Sequence, residues 1–179
     1  VIDLDPQGNA TTGLGHSNID GSEKNIYNAL NGSKTVSEII QTTQIDNLDI
    51  ITSNVDLSGL EVETAGDNGR AFILREKLSL FFKENSSNYS HVFIDCPPSL
   101  SLLTVMALVA SNSLIVPLQT EFFALEGLTQ LVKTIDRVKD NLNSEPSIRG
   151  IILTMYDKRN KLSSQVEKEA RDYFKEKVY

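Results

Sequence analysis

The fold is decided by residues 1–15, which read VIDLDPQGNATTGLG. An apolar strand tip runs into two carboxylates, Asp3 and Asp5, and then into a proline, small polar residues and glycines. The strand ends at Asp5-Pro6, because proline has no backbone N–H and restricts the residue before it. Open α/β sheets place their binding sites in loops at the carboxyl ends of parallel strands. We therefore interpret the stretch as a ligand-binding loop that presents a carboxylate, an amide and backbone N–H groups.

Other interpretations of this loop stay open at the level of sequence. Its first residues fit the opening of a calcium-binding loop, but Leu14 stands where a bidentate glutamate is required. The residues of that partial match are Asp3, Asp5, Gln7 and Gly8. Alternatively, the loop is a polar turn whose aspartates only accept hydrogen bonds from backbone N–H groups. Alternation along a strand points Asp3 and Asp5 to opposite faces, so we expect only one of them to face a ligand.

Composition limits the class of protein. The chain has 179 residues, enough for one domain with a proper core, and its 40% hydrophobic and 23% charged residues are typical of a soluble globular domain. No apolar run approaches the roughly 20 residues that span a bilayer. The single cysteine, Cys96, excludes an internal disulfide framework and suits a cytosolic protein. A net charge of −7 argues against a wholly basic nucleic-acid-binding surface, though not against a local basic patch.

Apolar strands alternate with amphipathic helices along the chain. Strands are predicted at the start and over 47–53, 91–95, 113–118 and 148–155, and longer helices over 70–83, 99–110 and 124–142. A capping box of Ser164 and Glu167 predicts the start of a last helix. Near-continuous apolar strands joined by helices indicate a single α/β domain over 1–179, with a mostly parallel twisted sheet covered by helices on both faces in three α/β/α layers.

A second stretch that could belong to a functional site is VFIDCPPSL, residues 92–100. An apolar strand ends in Asp95, and a tight turn follows, which is the pattern of a Walker B element that orients Mg²⁺ through water. Pro97-Pro98 is stiff and has no N–H to donate, so we expect Asp95 to be held firmly. The alternative is that Asp95 only caps the helix that follows. Two aspartate-terminated strands in one parallel sheet favour the metal-linked role.

The sequence resembles the ParA/Soj family of chromosome- and plasmid-partitioning ATPases, a branch of the deviant Walker A P-loop proteins that also includes MinD. The resemblance covers essentially all 179 residues. It rests on four blocks: 3–15 (DLDPQGNATTGLG), 93–100 (FIDCPPSL), 116–127 (VPLQTEFFALEG) and 153–157 (LTMYD). The first and third blocks are specific to ParA-like proteins. The resemblance implies a P-loop NTPase-like fold.

The resemblance also implies roles for individual residues. Asp5 would be the switch I aspartate that positions the attacking water, and Asp95 the Walker B aspartate that holds Mg²⁺ through water. Because an ordinary carboxylate is a weak base near neutral pH, we expect Asp5 to orient water rather than fully deprotonate it. Nucleotide contacts are implied for Asp95, Asn9, Pro97, Met155 and Tyr156. Met155 and Tyr156 would lie near adenine, with ordinary packing at a strand end as the alternative.

Some of the family's parts do not occur in this sequence. The phosphate-binding loop with its lysines would lie upstream of the strand in which Val1 stands, and no Gly-rich Lys-Ser/Thr sequence occurs in the 179 residues. The chain also begins without Met, and the family's C-terminal segment is missing. We therefore expect a domain truncated at both ends. Without the N–H cradle and the lysines, this piece is not expected to hydrolyse ATP alone.

Partners follow from the same resemblance. It implies ATP and Mg²⁺ as cofactors, a homodimer in the ATP state, non-specific DNA, and a ParB/Spo0J-type partner protein, in a cytoplasmic, nucleoid-associated protein. Lys158, Arg159 and Lys161 form a basic cluster in an otherwise acidic chain, and Arg159 matches a position where relatives hold DNA. Non-specific binding needs only phosphate contacts, and two clusters on a dimer would add in avidity. The alternative is a solvated loop with ordinary surface charge.

Two other functional classes remain possible from sequence. A MinD-like membrane-cycling ATPase would need a C-terminal amphipathic helix, and residues 163–175 are too polar for that, so no membrane partner is expected. A non-enzymatic DNA-binding module would use the acidic loop only as turn chemistry. Nucleotide binding by a chain that includes the upstream segment would distinguish the enzyme from that module.

Overall fold

A computed structural model describes residues 1–17, 23–84 and 89–179 of the chain. These residues form two compact units, Val1–Ala110 and Ser111–Tyr179, and each unit has its own paired strands. The expectation of a single domain over 1–179 stays a prediction.

The first unit is organised around a short central strand. Strand β1 (Ile2–Asp3) pairs in parallel with β4 (Ile94–Asp95), in a register that places Asp3 opposite Asp95. On its other side, β1 forms a parallel bridge between Ile2 and Ile51. A separate antiparallel pair consists of β2 (Gln41–Thr42) and β3 (Asp49–Ile50), which a mostly parallel prediction did not include.

Helices pack against these strands, and their side chains form a hydrophobic core with those of the strands. Leu4, Ile39, Leu74 and Met106 are completely buried, so the core draws on β1's continuation and on three helices. The helices described in this unit are α1 (Asn9–Gly13), α2 (Ile26–Leu30), α3 (Val36–Ile39), α4 (Leu60–Glu63), α5 (Ile73–Glu84) and α6 (Leu102–Ala110), with 3₁₀ turns at Val55–Gly59 and Arg70–Phe72.

The second unit contains the two longest strands. Strand β5 (Ser113–Gln119) pairs in parallel with β6 (Ser147–Thr154), with a bulge between Leu114 and Ile115. Helices α7 (Ala124–Asn141) and α8 (Lys161–Phe174) supply the apolar faces of the unit, and a 3₁₀ turn, Lys175–Lys177, follows α8. Val178 then forms a parallel bridge with Ile151. A second hydrophobic cluster, distinct from that of the first unit, fills the space between these elements.

The predicted parallel strands over 113–118 and 148–155 and the helix over 124–142 are confirmed to within about one residue. The strand predicted over 91–95 is shorter, because β4 pairs with a β1 of only two residues and the side chains of Val92 and Phe93 are exposed.

The predicted capping box is wrong. Helix α8 begins one turn earlier, at Lys161, where the Asn160 side chain accepts a hydrogen bond from the Leu162 N–H. The Glu167 carboxylate instead accepts hydrogen bonds from Tyr156 and Arg171. Among the described residues, no helix is both long and apolar enough to span a membrane.

Candidate functional site

The Asp3 carboxylate organises the loop after β1 from inside the protein. It is completely buried, and its Oδ2 accepts hydrogen bonds from the backbone N–H and the hydroxyl of Thr11, both at 2.7 Å. Its Oδ1 accepts from the Asp5 N–H at 3.1 Å. The Thr11 hydroxyl oxygen also accepts from the Ser53 N–H at 3.0 Å, so Thr11 joins three segments. Three donors to one carboxylate compensate the charge that burial would otherwise penalise.

This arrangement shows what Asp3 does in the loop. Asp3 is turned inward and serves the backbone, as the polar-turn interpretation expected, so it is not available as a metal ligand. No group of three or more His, Cys, Asp or Glu side chains within 1–17, 23–84 and 89–179 is placed to hold a metal ion. The calcium-loop interpretation is wrong, because it needs Asp3 as its first ligand and the Asp3 carboxylate is buried against Thr11. That only one of the two aspartates faces a ligand stays a prediction, and the half-buried Asp5 is the candidate.

Asp5 stands at the start of a tight turn that leads into α1. Gly8 adopts φ of 65°, a left-handed conformation that glycine enters without steric cost, and its N–H donates to the Asp5 carbonyl. The Asp5 Oδ1 accepts from the Gln7 N–H at 3.0 Å. The half-buried Asp5 also lines an open cleft, whose other residues include Pro97 and Ser99. Asn9, the first residue of α1, is exposed.

Parallel pairing brings Asp5 and Asp95 to the same edge of the strands. The Leu4 N–H donates to the Asp95 carbonyl at 2.8 Å, so the residue before Asp5 is bonded directly to Asp95. Asp5 therefore follows the carboxyl end of β1, beside the end of β4 that carries Asp95, and Pro97 of the next turn lines the cleft with Asp5. The structure thus brings Asp5, Asp95 and Pro97 to one region of the first unit, and their roles toward a nucleotide stay a prediction.

Like charge accumulates at this edge. Partial burial raises the pKa of the Asp95 carboxyl above its ordinary value, and the nearby carboxylates of Asp3 and Asp5 raise it further. A cation beside Asp95 would relieve that repulsion. One exposed carboxylate fits a magnesium ion that keeps most of its water shell, whereas it would not suffice for a metal bound wholly by protein.

Cys96 does not act as a nucleophile at this edge. Burial raises the pKa of its thiol to about 12, and the neighbouring Asp95 and Asp5 carboxylates contribute to the increase. The thiol is therefore protonated at neutral pH and contacts the Ile94 carbonyl.

In the second unit, the two residues that follow β6 differ in their surroundings. Met155 adopts φ of 51° and is 78% exposed, with its sulfur 3.1 Å from the Gln119 amide nitrogen. Tyr156 is half-buried, and its hydroxyl donates to Glu167 Oε2. This bond raises the pKa of Tyr156 and lowers that of Glu167. The Tyr156 hydroxyl is thus bonded within the unit, whereas the Met155 side chain is open to solvent.

The predicted basic cluster lies directly after this point. Lys158, Arg159 and Lys161 are all exposed, at the end of the β6–α8 loop and the start of α8. Arg159 is not free, because its guanidinium forms two hydrogen bonds with the Asp157 carboxylate. The three cations therefore lie on one short segment, as predicted. The Asp157 carboxylate lies beside them, which the sequence analysis did not include.

Several residues were missed because their roles depend on distant partners. Thr11 and Ser53 meet only in the fold, and nothing in the sequence marks the bond of Thr11 to Asp3 or that of Ser53 to Thr11. Glu167 has a helical spacing to Arg171 that predicts an ion pair, but its bond to Tyr156 spans a turn.

Two adjacent parallel strands, the first followed by a glycine turn and a helix and the second by a proline turn, place the candidate site at the strand ends where open α/β proteins bind their ligands. Residues 1–148 match the family described as an AAA domain. Over all 179 residues, the chain is 46% identical to the chromosome partitioning protein ParA of Caulobacter vibrioides and 43% identical to the sporulation initiation inhibitor protein Soj of Bacillus subtilis. It is 41% identical to the chromosome-partitioning ATPase Soj of Treponema pallidum.

Solved structures agree with these relatives. Cobyrinic acid a,c-diamide synthase from Mycobacterium smegmatis, crystallised with ADP and magnesium, superposes on 97% of the chain with a TM-score of 0.85 and 33% identity, and 69% of that protein is covered. A plasmid partition protein from Borrelia burgdorferi superposes on 99% of the chain with a TM-score of 0.80 and 25% identity, with 72% of it covered. The predicted P-loop NTPase-like α/β fold is confirmed by this likeness.

The chain belongs to the ParA/Soj family of partitioning proteins. It spans 66% of the length of the Caulobacter protein, 69% of the Bacillus protein and 68% of the Treponema protein.

We expect Thr11→Val to destabilise the protein by about 1–3 kcal/mol, because Asp3 Oδ2 loses a donor and the buried Ser53 N–H loses its acceptor. The matched control is Thr12→Val on the same helix, whose exposed hydroxyl donates only to the Gly8 and Asn9 carbonyls. Its cost should stay within about 0.5 kcal/mol. Urea denaturation measures both, and equal losses would contradict the proposed anchoring by Thr11.

We expect Asp95→Asn to raise the melting temperature at pH 7. The pKa of Asp95 is higher in the folded protein, so the fold holds that proton more tightly than the unfolded chain does. The resulting stability is present at low pH and is lost as pH rises through the folded-state pKa. The advantage of the variant should therefore shrink as pH falls towards about 4, where an ordinary aspartate titrates.

Calorimetric melting at several pH values tests this dependence, with Asp46→Asn, at an exposed position of the same unit, as the net-charge control. A variant that is less stable than the wild type at every pH would show that the Asp95 carboxylate stabilises the fold.

Proposed function

We propose that this protein is a ParA/Soj-type partitioning ATPase, for chromosome or plasmid segregation, whose water-positioning and magnesium-linked carboxylates are Asp5 and Asp95. The observation that carries the proposal is the parallel β1–β4 pairing, which brings Asp5, two residues beyond β1, to the edge where β4 ends in Asp95. Relatives named as partitioning proteins and a neighbour crystallised with ADP and magnesium support it.

Asp5 is proposed to orient the attacking water. Phosphoryl transfer needs positioning and charge stabilisation more than covalent help, and a carboxylate on a tight glycine turn can accept a hydrogen bond from water in a fixed direction. Asp95 is proposed to hold the hydrated magnesium ion, which when bound neutralises charge on the phosphates. The high charge density around Asp95 supports that assignment.

Further nucleotide contacts are proposed for Asn9 and Pro97 in the first unit and for Met155 and Tyr156 in the second. Pro97 lines the cleft beside Asp5, and Asn9 opens the helix that follows the loop. Of the pair after β6, the exposed Met155 side chain is better suited to contact a base than Tyr156, whose hydroxyl is bonded to Glu167.

Residues 1–179 are proposed to be insufficient for ATP hydrolysis. No Gly-rich Lys-Ser/Thr sequence occurs among them, and phosphate binding in P-loop proteins depends on such a loop. These residues are proposed to be one ATPase domain that hydrolyses ATP only together with a phosphate-binding segment.

Interactions with other molecules are part of the same proposal. The exposed Lys158, Arg159 and Lys161 would contact DNA phosphates without sequence preference, in a cytoplasmic protein associated with the nucleoid. Exposed apolar side chains in the second unit, Phe122 and Phe123, support a homodimer in the ATP state. A ParB/Spo0J-type protein would stimulate hydrolysis.

In the full-length protein, we expect Asp5→Asn to lower kcat for ATP by about 100-fold or more, because the water loses its oriented acceptor. ATP affinity should remain within about threefold of the wild type, since Asp5 acts on water rather than on nucleotide. Steady-state turnover and equilibrium binding measure the two effects.

The matched control is Glu76→Gln, which removes an exposed carboxylate on α5 of the same unit and should leave both values unchanged. Unchanged turnover in Asp5→Asn would refute the role of Asp5. If neither the wild type nor the Asp5→Asn variant binds nucleotide, the result would instead favour a non-enzymatic DNA-binding module.

A further inference from the structure

The Asp157 and Arg159 side chains form a closed pair in the loop between β6 and α8. Arg159 Nε donates to Asp157 Oδ1 at 3.1 Å, and Arg159 Nη2 donates to Asp157 Oδ2 at 3.0 Å. The Arg159 backbone N–H also donates to Oδ1, at 2.9 Å. One carboxylate therefore holds both the backbone and the guanidinium of the same arginine, although 91% of the Arg159 side chain is exposed to solvent.

The carboxylate occupies the edge of the guanidinium that would suit a phosphate. A guanidinium presents Nε–H and Nη2–H in a planar fork that matches two oxygens of either a carboxylate or a phosphate. With Asp157 on this edge, a phosphate must displace an internal anion or bind on another edge beside its negative charge. The bonds to Arg159 also lower the pKa of Asp157, which keeps the carboxylate charged at neutral pH.

The pair changes the charge of the whole basic segment. Lys158, Arg159 and Lys161 contribute three positive charges, and Asp157 removes one within a few residues. A third of the local charge is thus cancelled at the residue whose fork geometry suits phosphate best.

We propose that Asp157 limits the DNA affinity of this segment by competing with DNA phosphate for the Nε–Nη2 edge of Arg159. The inference rests on the proposed DNA-binding function and adds a residue that sets its strength. An internal competitor makes binding weaker and more easily reversed, because a phosphate contact at the Nε–Nη2 edge of Arg159 requires the Asp157 pair to open.

Asp157→Asn is a suitable test because it removes the charge and keeps the local turn. The amide oxygen of asparagine can still accept the Arg159 backbone N–H, so the loop conformation is retained. The control is Asp172→Asn, at an exposed position of α8 about 16 Å along the helix axis from Lys161. That separation exceeds the screening length of about 8 Å at physiological salt.

The experiment measures binding of the full-length, ATP-bound protein to a short random-sequence duplex by fluorescence anisotropy at several salt concentrations. It compares the wild type with Asp157→Asn, Arg159→Ala, the double variant and Asp172→Asn. We expect Asp157→Asn to bind DNA about threefold to tenfold more tightly at low salt, in line with the modest strength of exposed ion pairs. The gain should disappear in the Arg159→Ala background and be absent from Asp172→Asn.

Equal or weaker binding by Asp157→Asn would overturn the inference, and weaker binding would mean that Asp157 prepares Arg159 for DNA. A gain of the same size in the Arg159→Ala background would also overturn it, because the effect would then be general charge repulsion. If Arg159→Ala alone weakens binding, the proposed DNA-binding function stands whatever Asp157→Asn does. Failure of every protein to bind DNA would remove that function and this inference together.

Discussion

The buried carboxylate of Asp3 is the contact on which the candidate site depends. It accepts hydrogen bonds from Thr11 and from the Asp5 N–H, so it fixes the path of the chain from β1 through the glycine turn into α1. With that path fixed, the Asp5 side chain is directed into the cleft. The adjacent β4 is held in register by backbone bonds on either side of Asp3, and this register brings Asp95 to the same edge. The inward carboxylate of Asp3 thus positions Asp5, and backbone pairing places Asp95 beside it.

Holding these carboxylates together has an energetic consequence. Partial burial and two negative neighbours raise the pKa of Asp95, so they disfavour its charged form in the absence of a cation. The same arrangement is an advantage for a protein that binds magnesium with a nucleotide, because the ligand then relieves a repulsion that already exists in the fold. The second unit shows the opposite situation, because the Asp157 carboxylate compensates the charge of Arg159. In the first unit a ligand would relieve a repulsion, whereas in the second a ligand must compete with an attraction.

Local sequence predicted those features that depend on neighbours along the chain. The apolar runs gave β5 and β6 nearly to the residue, and Asp5-Pro6-Gln7-Gly8 gave the turn after β1. Features that depend on partners far along the chain could not be predicted in this way. The bond from Ser53 to Thr11 is one example, and the shortness of β4, set by its two-residue partner, is another. Glu167 was misassigned to a helix cap because its spacing from Ser164 fits that motif, while its bond to Tyr156 depends on the turn between β6 and α8.

Calorimetric titration of the full-length protein with ATP, in the presence and absence of Mg²⁺, tests the pairing of Asp5 and Asp95 as a magnesium-nucleotide site most directly. The same titration is repeated with Asp95→Asn. For the wild type, Mg²⁺ should strengthen ATP binding by at least about tenfold, or about 1.4 kcal/mol. For Asp95→Asn, the effect of Mg²⁺ should be largely lost while binding of ATP without metal is retained. An equal effect of Mg²⁺ on both proteins would contradict the role assigned to Asp95 and to the edge that it shares with Asp5.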